Sequence, residues 1–247
     1  MKRRDLLYAA LAILGVWYLL AIWIHQPVLP TPLQVALVVI PELLHGDLAV
    51  HFLVSLWRVL ASTLLAILTA APAGLVLGQS PRWDRFFKSV IYLLYPIPKV
   101  VLVPILLLLF GIGDFPKIII IYIILFFQIL VLVRDQAAAI RPELIASVRS
   151  LGAGRRALFR YVFLPASLPA ILTALRQSIG TSVAVLYIAE LFATEKGLGY
   201  YIYLQGSTLF NYPAMYAGIV AMSLLGLSLY FSVDWLEQRL CPWLEKR

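Results

Sequence analysis

Apolar stretches of about twenty residues recur along the chain, and they constrain its fold more than any other feature. They cover about 6–24, 52–77, 89–110, 117–133, 168–192 and 214–233. A helix rises about 1.5 Å per residue, so twenty residues cross the roughly 30 Å hydrocarbon core of a bilayer. No water in that core can satisfy backbone polar groups, and a helix satisfies them within the segment. Composition leaves little room for another outcome. Of 247 residues, 62% are hydrophobic and 13% charged, about half the charged share of a soluble domain. A soluble fold of this size cannot bury that much apolar surface. The expected fold class is all-α: a polytopic membrane helix bundle of about six transmembrane helices, read as a single transmembrane domain over 1–247.

The first run follows Lys2, Arg3 and Arg4 as a signal peptide would. It is long, however, and no small-x-small cleavage site follows it, so a retained span is expected. Pro27, Pro30, Pro32 and Pro41 then mark an extended segment and a short helix near 35–44. The third run is interrupted by Pro96, Pro98, Lys99 and Pro104. With the N-terminus inside, fifteen of the twenty Lys and Arg fall on the cytoplasmic side. That is the positive-inside pattern, and it places both termini in the cytoplasm. The net charge of +8 then reflects topology and attraction to anionic membrane lipid, with no nucleic-acid partner expected. One cysteine, Cys241, rules out an intrachain disulfide. The three histidines are too scattered for a metal site. The loose group Glu42, His45, Asp47 and His51 has no metal-ligand motif and reads as a surface loop. Small residues Ala70, Gly74 and Gly78, and again Gly180 and Ala184, are spaced for close helix packing.

The stretch 134–167 is long for a helix connection, and it is patterned. Leu144, Val148 and Leu151 share a helical face. Gly152-Ala153-Gly154 breaks that helix. A second helix, basic at Arg155, Arg156 and Arg160, follows and is expected to end at Leu164-Pro165. Two short amphipathic helices about a glycine hinge suit a docking surface or an interfacial position on anionic lipid.

This segment resembles the EAA loop of ABC-importer permeases: Glu-Ala-Ala, three residues, Gly, nine residues, then Ile-x-Leu-Pro. Gly152, nine residues, and Val162-Phe163-Leu164-Pro165 match that spacing. Ala146-Ser147-Val148 stand where the acidic motif would be, with Glu143 one turn earlier. Leu29-Pro30-Thr31-Pro32, Tyr95-Pro96-Ile97-Pro98, Ala189-Glu190 and Gly197-Leu198-Gly199-Tyr200 resemble the nitrate, sulfonate and taurine group of these permeases. The resemblance implies a type I importer permease, usually a homodimer. Its loop would sit on a separate ATPase subunit that binds ATP and Mg, and an extracytoplasmic binding protein would deliver a small anion such as a sulfonate, nitrate or taurine. The implied location is a bacterial or archaeal cytoplasmic membrane. The chain itself has no G-x-x-x-x-G-K-[S/T] loop, so neither enzyme activity nor a cofactor is expected in it.

Ionisable residues in mid-membrane cost roughly 2.5–3.5 kcal/mol each and point to function. Arg58 is shallow enough to snorkel to an interface. Arg176 lies deeper and is expected either to line the pathway or to pair with another helix, and Glu190, near the far end of the same run, is expected in an interfacial ion pair or as a gate partner. Lys99 sits halfway along the third run beside Pro96 and Pro98, and is expected either in a translocation pathway or in a buried pair with Glu190 or Asp114. Bases outnumber acids three to one in this set, which leans towards an anionic substrate. A secondary transporter would show paired intramembrane acids or inverted repeats. A membrane enzyme would show a catalytic cluster.

Overall fold

The structure, a computed structural model, describes residues 3–192 and 194–243. Lys2, Lys246 and Arg247, counted above for orientation, lie outside the described residues. The elements are α1 (Arg3–Ile24), α2 (Pro32–Leu44), α3 (Leu48–Gln79), α4 (Pro81–Leu94), a 3-10 turn (Lys99–Leu102), α5 (Val103–Phe110), α6 (Asp114–Ala138) and α7 (Pro142–Ser150). They continue as α8 (Arg155–Leu158), a π turn (Phe159–Phe163), α9 (Leu164–Leu191), α10 (Leu198–Tyr203), a second π turn (Leu204–Thr208) and α11 (Tyr212–Leu240). Among the described residues five helices are long and apolar enough to cross a membrane, or six if α4 and α5 form one broken span.

Local chemistry sets the breaks. Thr31 caps α2: its hydroxyl accepts from Gln34 N–H while the Gln34 side chain accepts from Thr31 N–H, which fills two donors the helix leaves open. Proline occupies the first turns of α2, α4, α5 and α7, where its missing N–H has no partner to lose. Pro104 is therefore no interruption. The break falls at Tyr95–Pro98, and the two halves of the third span meet at 74°. The first half begins at Pro81, a turn or more before the expected start. The second helix of the 134–167 stretch does not stop at Leu164-Pro165. It passes through the π turn into α9, so 155–191 is one helical run of 37 residues. Pro165 sits in the first turn of α9, and the π turn supplies the shift in register that lets the helix continue past it.

Contacts group the chain into two compact units. One contains Met1–Ser55 and Thr194–Leu224, and the other Leu56–Ala193 and Leu225–Arg247. In the first, Trp17 of α1 donates its indole N–H to the Pro30 carbonyl at 3.0 Å and stacks on Tyr216. His51 and Ser55, one turn apart on α3, accept the backbone N–H groups of Gly197 and Leu198 at 2.9 and 2.8 Å, at the start of α10. His51 is thus buried rather than part of a surface loop, while His45 and Asp47 are exposed. Glu42, half-buried, accepts from the Tyr201 hydroxyl at 3.0 Å. Burial and that bond hold the phenol above its ordinary pKa, so it stays a neutral donor.

In the second unit α6 lies along α9, and α3 crosses α6 through its small-residue stripe. A Cβ at Gly74 would stand 2.9 Å from the Leu130 carbonyl, and one at Gly78 2.5 Å from the Arg134 carbonyl. Only glycine permits this approach. The other stripe is different: a Cβ at Gly180 would meet nothing within 4 Å, and Gly180 and Ala184 are exposed. Gly78→Val should therefore force α3 off α6 at a cost of about 1–3 kcal/mol. A fall in thermal stability of the detergent-solubilised protein, absent in Gly180→Ala, would check this.

Candidate functional site

The charges that looked isolated along the sequence are gathered in the second unit. Arg58 on α3 is 3% exposed. Its guanidinium donates through Nε and Nη2 to Asp114 Oδ1 at 2.8 and 2.6 Å, and through Nη1 to Glu190 Oε1 at 2.7 Å. Its guanidinium is enclosed by protein, held by two carboxylates. Asp114 begins α6 and Glu190 is near the end of α9, so one side chain ties three helices together. Lys117, one turn beyond Asp114, is also buried and donates to the Gly113 carbonyl at 2.9 Å. Two cations and two carboxylates make the cluster electrically neutral. Glu190 is fully enclosed, whereas the Asp114 side chain is about half exposed.

Lys99 forms neither of its expected pairs, since Arg58 occupies both acids. It follows the break between α4 and α5, where Pro96 and Pro98 leave carbonyls without helical donors. Its ammonium takes up that role, donating to Leu94 and Tyr95 carbonyls at 3.0 and 2.9 Å. The same group lies 4.7 Å from the centre of the Phe127 ring. With Tyr95, Gln128 and Ile124 it lines a cleft of about 340 Å³. Its position is thus at a bend rather than halfway along a straight span.

Arg176 of α9 pairs with Asp234 at 3.1 Å and with Glu237, both on α11, and its guanidinium lies over the Tyr230 ring. Asp234 and Glu237 were read as tail residues because α11 runs seven residues beyond the apolar stretch that marks it. The three-to-one excess of bases therefore disappears once Asp114, Asp234 and Glu237 are counted with Glu190. Lys99 stands apart in this group: its partners are carbonyls and rings, with no carboxylate within ion-pair distance among the described residues.

The second element is the α7–α8 turn. Pro142 opens α7, and no side chain of that helix is buried. Glu143, Ala146 and Ser147 are exposed and Val148 half-buried. Leu151, which caps α7, is 84% exposed. Gly152 follows at φ +82, a left-handed conformation that favours glycine, and reverses the chain. Ala153 is half-buried, Arg155 and Arg156 point outward, and Val162 is buried beneath them. Leu164 and Pro165 carry the run into α9. The turn presents an apolar knob between polar and basic groups.

Residues 62–241 match the family of binding-protein-dependent transport system inner membrane components. The taurine transport system permease protein TauC of Escherichia coli is 32% identical over 193 residues, covering 78% of this chain and 70% of that protein. A probable ABC transporter permease protein of Brucella abortus is 32% identical over 237 residues, covering 94% and 92%. In fold, the chain is similar to a chain of the MetNI methionine ABC transporter in an inward-facing conformation, with a TM-score of 0.70 at 21% identity over 81% of this chain and 98% of that one. The chain belongs to the family of binding-protein-dependent transport permeases: it is a multi-pass membrane protein and the permease component of an ABC importer.

Removing one partner of a buried ion pair strands the other, which costs about 3–5 kcal/mol. Arg58→Ala should therefore destabilise strongly. Arg58→Leu combined with Glu190→Leu should cost less than the sum of the two single changes. Thermal unfolding of Arg58→Ala, of the two single leucine variants and of the double variant measures the difference.

Proposed function

Within that family, we propose that this chain carries a small anionic or zwitterionic solute, of the size and charge of taurine, across the cytoplasmic membrane by alternating access. It works with a separate ATPase and an extracytoplasmic binding protein. The observation that carries the reading is α7: an apolar-tipped helix with no buried side chain, ending on the exposed Leu151. An apolar side chain rimmed by polar and basic groups has the make-up of an interface centre. We assign its partner as the ATPase subunit, which would supply the ATP and Mg sites, and the surface as Glu143, Ala146, Ser147, Val148, Leu151, Gly152, Ala153, Arg155 and Arg156. Lysines and arginines concentrate on this side of the spans, which supports a cytoplasmic position for the turn and both termini.

The proposed coupling is mechanical. α8, the π turn and α9 form one run from Arg155 to Leu191, about 55 Å at 1.5 Å per residue. A shift at the turn therefore reaches Glu190 through a rigid element. The buried Arg58–Asp114–Glu190 cluster would hold α3, α6 and α9 in one arrangement, and the half-exposed Asp114 offers a point at which it can open. Bistable packing of this kind, rather than covalent chemistry, is what switches access. Lys99 supports an anionic solute, because its charge is met only by dipoles and rings and retains a demand for a negative partner. Pro96 and Pro98 keep the backbone open there, where irregular structure is tolerated only beside protein or a water-filled path. The exposed Gly180–Ala184 stripe supports a second copy as the packing partner of α9.

Reconstitution with the ATPase and binding protein in proteoliposomes tests both parts. Leu151→Asp should abolish substrate-stimulated ATP hydrolysis, and an unaffected, stimulated complex would argue against the docking role. Lys99→Ala should lower uptake at least tenfold, the equivalent of about 1.5 kcal/mol for a hydrogen bond to a charged group. ATPase co-purification should stay intact. Normal uptake by that variant would remove Lys99 from the pathway.

A further inference from the structure

Beside the Lys99 cleft lies an apolar groove of about 490 Å³ between α3, α4 and α6. Pro72 and Val76 of α3, Trp83 and Phe87 of α4, and Phe126 and Phe127 of α6 form its walls. Phe127 is shared: it walls the groove and also carries the Lys99 ammonium over its ring. α4 is amphipathic about this groove. Trp83, Phe87, Val90 and Ile91 repeat at helical spacing and line it. Arg82 and Lys88 flank that face, and Arg85 lies opposite. All three cations are exposed. The acid of the same helix, Asp84, is taken by Arg134. None of the three has a carboxylate within ion-pair distance among the described residues, although Lys88 lies one turn beyond Asp84 and interacts with its charge.

We propose that this groove binds an anionic phospholipid, with an acyl chain between α3, α4 and α6 and the headgroup phosphate on Arg82, at the Pro81 end of α4. The charge decides the occupant. Basic residues at the ends of spanning helices attract anionic lipid, and a pocket between helices adds a place for the tail. A second copy of this chain in a two-fold contact would bring the same unpaired cations together. A lipid satisfies both halves of the site: hydrocarbon meets hydrocarbon, and phosphate meets the Arg82 guanidinium. The proposal concerns neither the solute nor the ATPase, so it stands or falls apart from the transport reading. It also gives lipid a route to the Lys99 cleft, since a chain in the groove presses on the ring that supports the ammonium.

The test uses Trp83 as its own reporter. The full-length chain is reconstituted in phosphatidylcholine vesicles holding a fixed minor fraction of chain-brominated phosphatidylglycerol or chain-brominated phosphatidylcholine. The Trp83 signal is taken by difference from Trp83→Phe. Brominated phosphatidylglycerol should quench Trp83 at several-fold lower mole fraction than the zwitterionic lipid. Arg82→Gln should cut that preference about fivefold, the equivalent of one basic residue at an anionic surface, and Lys88→Gln, on the other flank of α4, should leave it unchanged. Arg82→Lys should keep it, and unchanged quenching of the other tryptophans would show each variant to be folded. Equal quenching by the two lipids overturns the proposal. So does a Trp83 that neither lipid quenches, and disulfide crosslinking through Trp83→Cys would then assign the groove to a second copy.

Discussion

Arg58 reaches from α3 to Asp114 at the start of α6 and to Glu190 near the end of α9, and those contacts join the three long helices of the second unit. A lone guanidinium at that depth would cost more than helix packing returns, so each partner is required by the others. Lys117 adds a second buried cation, and the set stays neutral. A neutral cluster is tolerated inside a bundle, whereas any single deletion leaves a charge behind.

The helix that carries Glu190 begins far away, at the exposed turn about Gly152. A π turn lies between the two. Wider turns of this kind interrupt the regular ladder without ending the helix, so motion passes through while the register can shift. Lys99 shows a related economy. The prolines beside it leave carbonyls open, and its ammonium closes them while retaining its charge. A single side chain thus both repairs a broken helix and lines a cleft.

Much of this was legible in the sequence, for reasons that can be named. Apolar runs of bilayer length are a one-dimensional signal, and they located the spanning helices. Gly152 with its spacing to Val162-Phe163-Leu164-Pro165 marked the turn, because a left-handed glycine and its flanking helices are local features. Gly74 and Gly78 were read as a packing face, and α6 does fill it. The same reasoning marks Gly180 and Ala184 as a small face, which is exposed within this chain, since spacing says that a face is small but not what covers it. Residue order leaves Arg58 free to snorkel and Lys99 either in a pathway or paired with Glu190 or Asp114, because distance along one helix is its only depth gauge. The seven residues by which α11 outruns its apolar stretch hid Asp234 and Glu237 from the intramembrane count. His51 looked like part of a loose surface group, and nothing local points to its bond with Gly197, 146 residues on.

The sequence alone determined that this chain is a helical membrane protein with an exposed amphipathic turn, since hydrocarbon length and helical period are set by neighbours along the chain. Only the tertiary structure decided which charge answers which. Three helices far apart in sequence meet at Arg58, and the guanidinium takes both carboxylates through hydrogen bonds of 2.6–2.8 Å. Lys99 is left to the carbonyls of a broken helix. Ion pairing in a low-dielectric interior depends on distance through space, and no reading of residues in order contains that distance.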